Sequence, residues 1–169
     1  NNFSNITVTG ATTISGFNNT DGSGSSPSKT ITGNTFNNWT GGTSAITAMS
    51  YTYWGGGTSN NLSSNTITNI TGQNSITGIS IGSAFGSTNP VSISSNTIGN
   101  LTSTGTGGSV VGITSSNAGT GSIININSNT VSTLASTGAS SVSGISVTGA
   151  TTTNVTKNTI CDISGSNAS

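Results

Sequence analysis

The chain has 169 residues, the length of one ordinary domain, and its only charged side chains are Lys29, Lys157, Asp21 and Asp162. A formal net charge of zero leaves no electrostatic footprint for nucleic acid, and no apolar run reaches the roughly 18 residues of a membrane span. Composition-driven disorder goes with high net charge; here Asn, Ser, Thr and Gly fill the sequence instead.

The chain opens on Asn1-Asn2-Phe3-Ser4-Asn5-Ile6-Thr7, and this phrase organises everything after it. A second phrase follows as Ile14-Ser15-Gly16-Phe17, then an isolated apolar residue, Ile31, three positions before the next asparagine. The first phrase returns as Asn34-Thr35-Phe36-Asn37-Asn38-Trp39-Thr40, the second as Ile46-Thr47-Ala48-Met49, and Leu62 takes the place of Ile31. Asn65 to Thr71, Ile76 to Ile81 and Ile93 make the third set; Asn96 to Thr102, Val110 to Ile113 and Ile126 make the fourth. Asn129 to Ala135, Val142 to Ile145 and Val155 follow, and Asn158 to Ser164 states the first phrase again. The leading asparagines Asn1, Asn34, Asn65, Asn96, Asn129 and Asn158 are separated by 33, 31, 31, 33 and 29 residues.

Each period therefore holds three short pieces rich in β-branched residues, divided by Gly, Ser and Asn. The high Gly and Thr content opposes helix. Three strands per period, each returning to the same place, predict a coil whose successive copies stack at the strand spacing of roughly 4.8 Å. Stacking makes internal columns of Phe3, Phe36, Ile67, Ile98, Val131 and Ile160; of Ile6, Trp39, Ile70, Leu101, Leu134 and Ile163; and of Phe17, Met49, Ile79, Ile113 and Ile145. The asparagine column is expected at a sharp bend, because Asn tolerates the left-handed backbone region, with its side chains hydrogen-bonded along the stack.

On these residues, and on corners such as Val91-Ser92-Ile93-Ser94-Ser95-Asn96-Thr97-Ile98, the sequence resembles the right-handed parallel β-helix repeats of the pectate-lyase type. The spacing gives about five coils of roughly 31 residues each, and the resemblance implies that they form an all-β, right-handed parallel β-solenoid with an asparagine ladder filling a turn. It spans residues 1–169 as a single domain. The coils are longer than is usual in that family, and the extra length is assigned to loops such as Asp21 to Ser28 and Trp54 to Asn60.

The family's polysaccharide-cleaving chemistry does not transfer. Glycoside hydrolysis needs two carboxyls within roughly 5 to 9.5 Å, whereas stacking alone puts Asp21 and Asp162 roughly 20 Å apart. Calcium needs six to eight oxygens, several of them usually carboxylate. The absence of His, with a lone Cys161, removes zinc sites and Ser-His or Cys-His nucleophiles. The sequence thus reads as no enzyme, with no cofactor and no metal.

Some residues invite other roles. Lys29 and Lys157 read as solvated charges. Cys161 shares its column with Ser4, Asn37, Thr68, Gly99 and Ser132, which points it outward as a possible intermolecular thiol. The threonine column Thr35, Thr66, Thr97, Thr130 and Thr159 raises ice binding, although the adjacent outward rank is irregular. Trp39 reads as core, and Tyr51, Tyr53 and Trp54 as an exposed patch for a subunit or a sugar. Glycosylation sequons at Asn5, Asn38, Asn69 and Asn100 fall in one column and read as a by-product of the repeat.

No distinct polar cap marks either end, and uncapped coils expose strand edges that template further pairing. The expectation is a structural building block of an extracellular filament, sheath or adhesin stalk at the bacterial cell surface. It would be a segment or subunit of a longer fibre, joined by end-to-end self-association or by covalent continuation of the solenoid. The alternative is a carbohydrate- or ice-binding module that uses a flat face.

Overall fold

The structure, a computed structural model, describes residues 1–20, 28–52, 60–82, 90–116, 123–138, 140–149 and 152–166. Among them lie sixteen strands and no helix. β1 (Asn2–Thr7), β2 (Ile14–Asn19) and β3 (Thr30–Thr32) make one circuit, and β4 (Thr35–Thr40), β5 (Ile46–Tyr51) and β6 (Asn60–Ser63) repeat it. β7 (Thr66–Gly72), β8 (Ile76–Ile81) and β9 (Val91–Ser94) come next, then β10 (Thr97–Ser103), β11 (Val110–Ser115) and β12 (Ile123–Asn127). β13 (Thr130–Ser136), β14 (Val142–Val147), β15 (Thr152–Thr156) and β16 (Thr159–Gly165) finish the series.

Every third strand pairs in parallel, which gives three sheets: a first of six strands in the order β1-β4-β7-β10-β13-β16, and two of five, built on β2 and on β3. The chain is a parallel β-solenoid. Its register is the one read from the sequence: Phe3 lies over Phe36, Phe36 over Ile67, Ile67 over Ile98, Ile98 over Val131 and Val131 over Ile160. The Ile6-to-Ile163, Phe17-to-Ile145 and Ile31-to-Val155 columns align in the same way.

Strict alternation could not send both Phe36 and Trp39, three residues apart, into the core, yet both are buried. The backbone between them supplies the missing half-turn. Asn38 has φ of 58°, and Asn5, Asn69, Asn100, Thr133 and Asp162 occupy the same left-handed position in their strands. One left-handed residue per strand of the first sheet rotates the chain so that i and i+3 both face inward.

The core is a narrow aliphatic stack with an aromatic end. Leu62, Ile67, Ile70, Ile79, Ile98, Leu101, Ile113 and Leu134 are fully buried, so a chain of only 28% hydrophobic content still has a continuous interior. Trp39 is core, as expected; it sits edge-on to Phe36 at a centroid distance of 5.7 Å, and its Nε1 donates to Phe3 O at 2.6 Å. Phe3 stacks on Phe36 at 4.9 Å.

The second sheet approaches the first closely through a small-residue column: Gly16, Ala48, Gly78, Gly112 and Gly144. A Cβ on Gly112 would lie 2.5 Å from Val131 Cγ1 and 2.6 Å from Gly144 O. These glycines serve close packing, and none of them has a positive φ.

Candidate functional site

The most ordered polar feature of the molecule is the column of ladder asparagines at the entrance to the first sheet. Each Nδ2 donates to Oδ1 of the next circuit: Asn1 to Asn34 at 2.8 Å, Asn34 to Asn65 at 2.9 Å, Asn65 to Asn96 at 3.0 Å, Asn96 to Asn129 at 2.9 Å and Asn129 to Asn158 at 2.9 Å. From Asn34 to Asn129 the backbone N–H joins in, donating to the same Oδ1 at 3.0 Å. The second Nδ2 hydrogen goes to a carbonyl of the third sheet: Asn65 to Ile31, Asn96 to Leu62, Asn129 to Ile93 and Asn158 to Ile126. The ladder carbonyls accept from the threonine that follows the next asparagine, as in Thr97 N to Asn65 O at 2.9 Å.

Burial makes this arrangement matter. Asn65 is fully buried, and Asn96 and Asn129 are each 1% exposed. A buried carboxamide left without partners would cost about 1 to 3 kcal/mol; here both of its hydrogens and its oxygen are engaged. The bonds between the ladder side chains have a direction, since each runs from Nδ2 of one circuit to Oδ1 of the higher-numbered one.

The bend is placed differently from the sequence expectation. Asn34, Asn65, Asn96, Asn129 and Asn158 do not have positive φ; the left-handed residue is the one before each of them, namely Gly33, Ser64, Ser95, Ser128 and Lys157. The asparagine is needed for its side chain, which must span two circuits and the third sheet, while a small or flexible neighbour takes the turn.

The asparagines that do adopt left-handed backbone are those of the sequon column. They are exposed and form a second, outer set of bonds that runs the other way: Asn38 Nδ2 donates to Asn5 Oδ1 at 2.7 Å, and Asn100 Nδ2 donates to Asn69 Oδ1. Asn69 Nδ2 turns to Asn37 Oδ1 at 2.7 Å instead. The sequon spacing follows from the fold: a left-handed Asn, an inward apolar residue, then an outward Thr.

The proposed aromatic patch is not a patch at Tyr51. Tyr51 is fully buried, stacked at a tilt against Phe17 with centroids 5.5 Å apart. It occupies an inward column with Asn19, Ile81, Ser115 and Val147, a column that the sequence reading did not identify. Burial pushes its phenol pKa well up. Tyr53 and Trp54 lie outside the described residues, as do Asp21 and most of the two loops expected to hold the extra coil length.

Cys161 lies on β16 over Ser132 and is a free, exposed thiol. Lys157 and Asp162 are exposed and Lys29 is half-buried. Among the described residues no three of His, Cys, Asp and Glu come together as metal ligands.

Thr35, Thr66, Thr97, Thr130 and Thr159 do stand in one register column. The second sheet carries two further outward ranks that the sequence reading passed over. One is Ser15, Thr47, Thr77, Val111 and Ser143; the other is Asn18, Ser50, Ser80, Thr114 and Ser146. Their signal is the pair of polar positions that flank the Gly-Ile core of the second phrase.

No protein-family model, curated protein or solved structure matches the chain.

Proposed function

We propose that the chain is a structural element, a β-solenoid section of an extracellular filament, sheath or adhesin stalk of the bacterial surface kind, with the right-handed turn of the pectate-lyase type of coil. The inner asparagine ladder carries this reading. It is the most heavily bonded polar feature, and its bonds run between circuits, where they resist separation along the axis. A rigid neutral rod needs no catalytic machinery, and none is part of the reading.

The partner in this reading is more solenoid, supplied by a second copy or by the same polypeptide. The direction of the ladder favours head-to-tail continuation, donors of one coil meeting the acceptor of the next. Electron microscopy of the purified protein, at dilute concentration and after concentration, tests the reading. Narrow rods of uniform width, lengthening or joining end to end, are expected; compact particles that never elongate would overturn self-association and leave only continuation within one polypeptide.

The two outward ranks of the second sheet favour one second reading, a flat face that binds an ordered surface such as crystalline polysaccharide or ice. Rigid, preorganised hydroxyls at a fixed spacing lose little entropy on binding a periodic ligand. Replacing Thr47, Thr77 and Thr114 by Lys should abolish adsorption to such a surface and leave the circular dichroism unchanged. Adsorption unaffected by the triple change would remove this reading.

A further inference from the structure

We draw no further inference here: the strongest candidate, the apolar rim of the solenoid at β14, β15 and β16 with Val155, Ile160 and Ile163 exposed beside Asn158, carries nothing beyond the proposed stacking because nothing in the structure shows what covers it.

Discussion

Replacing Asn96 by Ala removes one rung of the inner ladder, and the loss can be worked out bond by bond. The Asn96 carboxamide accepts from Asn65 N and Nδ2, and donates to Leu62 O and to Asn129 Oδ1. At about 1 kcal/mol net for each bond, the change costs about 4 kcal/mol, with the buried Asn65 N–H left unpartnered as its largest part. Asn100→Ala on the outer column is the control. It loses an exposed bond and sets alanine at a φ of 53°, for about 1 to 2 kcal/mol, and Asn100→Gly should recover most of that. The assay is guanidinium unfolding followed by far-UV circular dichroism. Hydrogen exchange supplies a readout that survives a departure from two-state behaviour in a repeat array: protection should fall first at the Asn65 amide, whose acceptor is the removed Oδ1. If Asn96→Ala costs no more than Asn100→Ala, the ladder is not what holds the circuits together.

Gly112→Ala drives a methyl into Val131 Cγ1 and Gly144 O and should cost about 1 to 3 kcal/mol by overpacking, whereas Gly107→Ala, where an added Cβ meets nothing within 4 Å, should be nearly neutral in the same melts. Ser115 Oγ is buried with no hydrogen-bond partner among the described residues, in a column with Ile81 and Val147; Ser115→Val should therefore stabilise the fold by about 1 kcal/mol, and a destabilised variant would contradict that placement. Burial raises the Tyr51 phenol above its ordinary 10.0, so its stabilising contribution is complete below pH 10. Above that the unfolded chain ionises while the folded one keeps its proton, and stability falls by about 1.4 kcal/mol per pH unit. Tyr51→Phe should flatten that alkaline limb in pH-dependent unfolding, and an unchanged limb would mean Tyr51 is not buried. The exposed Cys161 should react fully with a thiol reagent in the native protein; protection at low concentration would place it in a contact.

The repeat made the architecture legible. Parallel pairing fixes which residues lie over one another, so a column of like residues in the sequence is a column in space, and Phe36, Ile67, Ile98 and Val131 fell where their spacing put them. Sequence reasoning failed where two asparagine columns serve different ends. Both repeat with the same period, so tolerance of the left-handed region does not tell them apart in the sequence; backbone dihedrals and burial separate Asn96 from Asn100. Tyr51 went astray for a related reason. Its neighbours Tyr53 and Trp54 suggested an aromatic cluster, while its column mate Ile81 marked it as interior. Gly16, Gly78, Gly112 and Gly144 were visible as part of a phrase, but their purpose lies in a contact between sheets that register within one sheet does not reveal.

Single-molecule stretching of the chain between its ends tests the proposed structural role, which rests on a stack of near-equivalent circuits held by the ladder. Ladder partners are 29 to 33 residues apart, so releasing one circuit frees about 100 Å of extended chain at roughly 3.4 Å per residue. The account predicts a series of abrupt extensions close to that length, with Asn96→Ala lowering the force of the steps beside it. Smooth extension at low force, or steps unrelated to the circuit length, would contradict it.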